Sequence, residues 1–149
     1  MSNIDLSKLE TAQTRAAAAA AELLQLIANT RWNQETAGVM WRGLFIATDR
    51  ESQSKLDQAD SAAQRGVRKE NSVWKCYDPA TGRLVFRPTT NAEMNEIATL
   101  AYQYVTDCFT REGQLVDAVL AGVFTDDLLI QGWPSRDITP ASVGSNAGR

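Results

Sequence analysis

The chain contains no histidine in its 149 residues. The commonest general base near neutral pH and the commonest neutral metal ligand are therefore both missing. That excludes Ser–His hydrolases, Cys–His proteases and histidine-containing zinc sites. Cysteine is nearly as scarce: Cys76 and Cys108 form no CxxC pair, which reads as two reduced thiols in or near the core, with a disulfide as the alternative. Neither charge dominates, since fifteen basic and eighteen acidic residues leave a net charge of -3. They are scattered without the basic stripe that collects phosphate contacts, so no nucleic-acid partner is expected. Long apolar runs are absent as well. None approaches the roughly 20 residues of a membrane span, and the opening residues carry no basic leader before an apolar core. The expectation is a chain made in the cytoplasm, with no membrane partner.

What is present suits one domain of ordinary length, able to bury roughly two thirds of its unfolded surface. The six consecutive alanines from Ala16 to Ala21 and the shortage of bulky aliphatics suggest thin helix contacts, with burial completed by partner subunits. Asp5 or Ser7 caps a first helix expected to reach about Asn29. Leu9, Ala16 and Leu23 recur every seven residues, and Leu6, Gln13, Ala20 and Ile27 supply the complementary positions. This pattern fits a coiled-coil seam interrupted by Gln13, or an alanine-rich helix packed on its own domain.

The stretch Gly38 to Leu56, GVMWRGLFIATDRESQSKL, passes from an apolar strand-like run into a polar helix start. Strands are expected over Arg31 to Thr36 and Val39 to Ala47, with Ala37 and Gly38 as the hairpin turn and Gly43 as a bulge or close backbone contact. Thr48 and Glu51 then match a capping box for a second helix ending near Arg65. Val73 to Tyr77 and Leu84 to Phe86 read as short strands around the turn DPATG. Thr90 and Glu93 repeat the capping box before a helix reaching about Leu120. At 1.5 Å per residue it would be roughly 45 Å long. After Gly122 a short helix or turn precedes Trp133, and an extended or disordered arm is expected from Ser135 onward. The fold class is α+β and predominantly helical, with long N-terminal and C-terminal helices around a small antiparallel β element. Its parts are 1–30 as a helix for oligomerisation or attachment, 31–121 as the α+β domain and 122–149 as an extension or arm.

Few residues suggest chemistry. Asp49 with Glu51 and Asp126 with Asp127 offer paired carboxylates, which can cleave glycosides or hold a hard cation. Helix capping and solvent exposure explain them more simply. P-loop and dinucleotide-loop patterns are absent. Trp32, Trp41, Trp74 and Trp133 allow stacking on sugars, yet Trp41 and Trp74 lie in strand-like runs that suit core or interface anchors. No catalytic, metal or cofactor site is assigned.

A resemblance carries further. Ala37, Gly38, Val39, Gly43, Ile46, the run Thr48-Asp49-Arg50, Ser52, Gln53, Lys55 and Leu56 resemble the opening signature of a phage tail-fibre-associated domain family of unknown function (DUF4376-like). Trp74, Lys75, Thr90, Ala92, Glu93, Met94, Ile97, Ala98, Val105, Cys108, Phe109, Arg111, Glu112 and Leu115 continue it. The resemblance spans about Thr30 to Ala121, leaving the first helix and the arm outside. It implies no established catalysis. It implies association with phage tail, fibre or baseplate proteins, and so a place in the virion tail after synthesis in the host cytoplasm. Together with the helix patterns it leads to a non-enzymatic adaptor subunit that forms a homo-oligomer. A cytoplasmic fibre-assembly chaperone and a glycan-binding or glycan-cleaving tail component are the alternatives. The interface candidates are Leu9, Leu23, Val105 and Leu115 on helix seams, Arg50 for a salt bridge, and Trp41 and Trp133 as apolar anchors.

Overall fold

The structure, a computed structural model, describes residues 6–141. It is α+β and predominantly helical, as expected. The order is α1 (Leu6–Thr36), β1 (Val39–Trp41), β2 (Leu44–Ile46), α2 (Arg50–Gln64), β3 (Val73–Asp78), β4 (Arg83–Pro88), α3 (Asn91–Leu120) and the short α4 (Asp126–Ile130). The four strands form one antiparallel sheet in the order β1-β2-β3-β4. The described residues fall into two compact units, one drawn from 6–34 and 107–134, the other from 35–106 and 135–141.

In the first unit, the helical part of 6–34 leaves residues 11–19 exposed and begins to bury side chains at Ala20, then at Leu23, Leu24 and Ile27. The proposed seam is therefore uncovered at Gln13 and Ala16 and covered at Ile27. The side chain of Leu9 lies outside the described residues. The expectation of a strand over Arg31 to Thr36 is overturned, because those residues are the last turns of α1. Tertiary partners hold them helical. The Nε of Arg31 donates to Oε2 of Glu112 at 2.8 Å, and its guanidinium lies 4.4 Å from the Phe109 ring centre. Leu115 and Cys108 are buried in this unit, and Trp133 is half-buried with its indole N–H donating to the Leu129 carbonyl at 2.7 Å.

In the second unit, the first hairpin turns at Arg42 and Gly43, not at Ala37 and Gly38 as the sequence suggests. Both turn residues have positive φ, 50° and 78°, the geometry of a two-residue type I′ turn, where glycine at the second position avoids a steric cost. Gly38 is instead the close approach: a Cβ there would lie 2.1 Å from the Phe45 ring. The capping box expected at Thr48 also shifts. Asp49 caps α2, with its carboxylate accepting from the backbone N–H and hydroxyl of Ser52. Thr48 is buried, accepting from the N–H of Gly38 and donating to the carbonyl of Glu35. The second box is formed as expected: Thr90 Oγ1 accepts from the N–H of Glu93, whose carboxylate accepts from the N–H of Thr90.

The arm from Ser135 is ordered as far as it is described. Arg136, Asp137 and Ile138 run parallel beside β1, through Met40 N–H to the Arg136 carbonyl at 2.7 Å and Ile138 N–H to the Met40 carbonyl at 2.9 Å. The remainder of the expected arm lies outside the described residues.

Candidate interaction surface

Side chains alternate between the faces of a strand, so the pairing register sorts them into two sets. Val39, Trp41, Ile46 and Cys76 are buried and share the inner face with half-buried Leu44, Val85 and Arg87. Met94, Ile97, Ala101 and Tyr104 form the buried stripe of α3 within the same unit. The Trp41 indole N–H donates to Glu96 at 3.3 Å, and the Arg42 and Arg87 guanidiniums lie 4.3 and 5.1 Å from its ring centre. Arg87 and Arg42 both meet Glu93. These contacts hold the carboxyl of Glu93 well below its usual range, at about 2, with the hydrogen bond from Arg87 as the largest cause.

The outer face differs. Phe45 pairs with Tyr77, Tyr77 with Leu84 and Lys75 with Phe86, which places these side chains, with Val73, on one surface. Val73, Tyr77, Leu84 and Phe86 are all exposed, Leu84 at 57% and Phe86 at 61%. Four large apolar side chains on one strand pair are more than scattered surface hydrophobics.

A recess of about 430 Å³ opens beside this row, where β2 leaves β3 and the chain turns into α2. Phe45, Lys75 and Leu84 belong to both, while Asp49, Ser52 and Lys55 form the α2 side and Ala47, Trp74 and Cys76 complete the lining. Three of its titratable groups are shifted. The Ser52 hydroxyl lowers the pKa of Asp49, burial raises that of the Cys76 thiol, and Glu51 raises that of Lys55. Asp49 is ionised as a helix cap and Cys76 is a neutral thiol. Neither Cys76 nor Cys108, both buried, is held in a disulfide. Among the described residues no cluster of three metal-ligating side chains occurs.

The residues singled out in the sequence do not gather here. Trp41 and Leu115 are buried inside their units, so neither offers surface to a partner. Arg50 pairs within the chain, its Nη2 lying 2.8 Å from Oε1 of fully buried Glu35 while its own side chain is half exposed. Leu23, Val105 and Trp133 are half-buried. The outer row was missed because Val73, Tyr77, Leu84 and Phe86 read as strand residues of unspecified facing. The signal was apolar residues on both faces of two strands, Val73 and Tyr77 beside Cys76, and Leu84 and Phe86 beside Val85.

A family model described as a domain of unknown function (DUF4376) matches residues 16–132. The chain belongs to this phage-associated family. The match begins inside α1 and runs past α4, so the family region includes most of the first helix that the sequence resemblance had left outside. No curated protein and no solved structure matches the chain.

Proposed function

We propose that this member of the family is a non-enzymatic structural subunit of the phage virion, an adaptor in the tail, fibre or baseplate that holds other tail proteins. The observation that carries the reading is the outer sheet face, where Val73, Tyr77, Leu84 and Phe86 stand exposed beside a recess that Leu84 lines with Phe45 and Lys75. An exposed apolar patch of this kind is a protein-contact surface by its energetics, since each large side chain covered contributes about 1.5–3 kcal/mol. The recess does not favour a hydrolase, because Asp49 is committed to capping α2 and Cys76 is held neutral. Homo-oligomer formation is a further part of the proposal and would draw on the uncovered start of α1.

Peptide mass spectrometry of purified particles of the encoding phage, normalised to a tail protein of known copy number, tests the reading. A fixed stoichiometry that survives high-salt washing is expected. Abundance in infected lysate with absence from particles would overturn it and favour a cytoplasmic assembly chaperone.

A further inference from the structure

The two edges of the sheet are treated differently. Beyond β1 lies the segment Arg136 to Ile138, which takes up the N–H and the carbonyl of Met40. Beyond β4 no strand is paired among the described residues.

The hydrogen bond from Thr89 N–H to the Ser72 carbonyl, 3.1 Å, fixes the phase of the β3–β4 ladder. In antiparallel pairs the bonded and non-bonded positions alternate. With the register Val73 to Pro88 and Asp78 to Arg83, the backbone groups of Arg83, Val85 and Arg87 face β3, and those of Leu84, Phe86 and Pro88 face outward. Pro88 agrees with this phase, because a residue without an N–H stands where the ladder needs no donor. Leu84 and Phe86 are thus open in their backbone and exposed in their side chains.

We infer that this edge of β4 is the docking site for one extended strand of another protein, in which apolar side chains alternate with acidic ones. The inference deepens the adaptor reading and rests on it. Addition of a strand supplies main-chain hydrogen bonds for affinity and alternate side-chain contacts for specificity. Apolar side chains of the incoming strand extend the row of Leu84 and Phe86. Acidic ones meet Arg83, which is exposed and forms no ion pair among the described residues. A second copy offers Arg83 no free carboxylate. The two-fold antiparallel pairing that satisfies all the open groups of Leu84 and Phe86 sets Arg83 opposite Arg87 of the other copy, twice over, a like charge whose carboxylate partner Glu93 is already taken.

The test uses the full chain and two capped hexapeptides, one of alternating glutamate and valine, the other of alternating lysine and valine. Amide NMR with hydrogen exchange is the readout. The acidic peptide is expected to shift and protect the Leu84 and Phe86 amides, with the basic peptide binding about tenfold more weakly. Phe86→Pro removes one outward donor and no bond to β3, and should weaken the acidic peptide about tenfold. Arg83→Glu, at an exposed position, should invert the preference between the peptides whether or not the proline variant folds. Equal binding of both peptides, or protection elsewhere than β4, would overturn the inference. Self-association in sedimentation that Phe86→Pro abolishes would also overturn it, by giving the edge to a second copy. Fixed copy number in particles without protection at β4 would remove this inference and leave the adaptor reading. Protection at β4 with absence from particles would keep the edge assignment and remove the tail-subunit reading.

Discussion

The inner and outer faces of the sheet are built from the same four strands, yet only the inner face is finished. At its centre the large side chains have partners: Trp41 lies against two guanidiniums, Arg87 is held by both oxygens of Glu93, and Cys76 is buried. On the outer face Val73, Tyr77, Leu84 and Phe86 stand in solvent. Burial and polar satisfaction are thus concentrated where they stabilise the unit, while four large exposed apolar side chains share the opposite face of the sheet. That asymmetry separates a core from an exposed apolar face more reliably than residue type, which is similar on both sides.

The largest expected effect breaks the finished side. Trp41→Ala removes a fully buried ring with its indole donor and should destabilise the protein by about 3–5 kcal/mol. Urea denaturation checks it. A cost below about 1 kcal/mol would mean that the ring is not the centre of the inner face.

Acid should weaken the same face next. Glu93 has its pKa lowered to about 2 in the folded protein from a reference of 4.5. A carboxylate so depressed contributes stability that is fully present above pH 4.5 and is lost as pH falls toward 2. Wild-type unfolding midpoints should fall through that window. Glu93→Gln should flatten the fall and cost about 1–3 kcal/mol at pH 7, through the lost charge-assisted bonds to Arg87. A variant whose midpoint falls as steeply as the wild type would assign the acid sensitivity to other carboxylates.

Much of the inner face was legible in the sequence. The strands of the second hairpin, the box at Thr90 and the end of α3 near Leu120 follow from local chemistry, because turn residues, caps and period are written within a few positions. The end of α1 was not legible. Arg31 is helical through Glu112 and Phe109, some eighty positions away, and Glu35 through Arg50, and no local pattern encodes such partners. Thr48 and Asp49 show the same limit at short range. Either can cap α2, and the choice falls to Asp49 because Thr48 is taken by Gly38 and Glu35. The exposed outer face was the least legible part. Which side of β3 and β4 faces solvent depends on the register with β2, set by Phe45 opposite Tyr77.

A smaller effect sharpens the contrast between the edges. The Arg136 guanidinium donates to the carbonyls of Gly38 at 2.9 Å and Ala37 at 2.7 Å, fastening the segment that closes β1. Arg136→Ala should cost about 1–2 kcal/mol and speed hydrogen exchange of the Met40 amide, while exchange at β4 stays as it was. Equal acceleration at both edges would mean that Arg136 supports the whole sheet.

The smallest effect on stability belongs to the outer face, and its smallness is the point. Leu84 and Phe86 are each more than half exposed, so replacing either by Lys removes little buried area and leaves the β3-facing ladder untouched. Each variant should lie within about 0.5 kcal/mol of the wild type, where the inner-face substitutions cost several times more. The double variant should also bind less of a hydrophobic fluorescent dye, since the apolar row is broken by two charges. If Phe86→Lys proved as damaging as Trp41→Ala, the row would be part of the core, and the division between a finished and an open face would fail. If it left stability unchanged and abolished retention of the protein in particles, stability and attachment would be assigned to opposite faces of the same four strands.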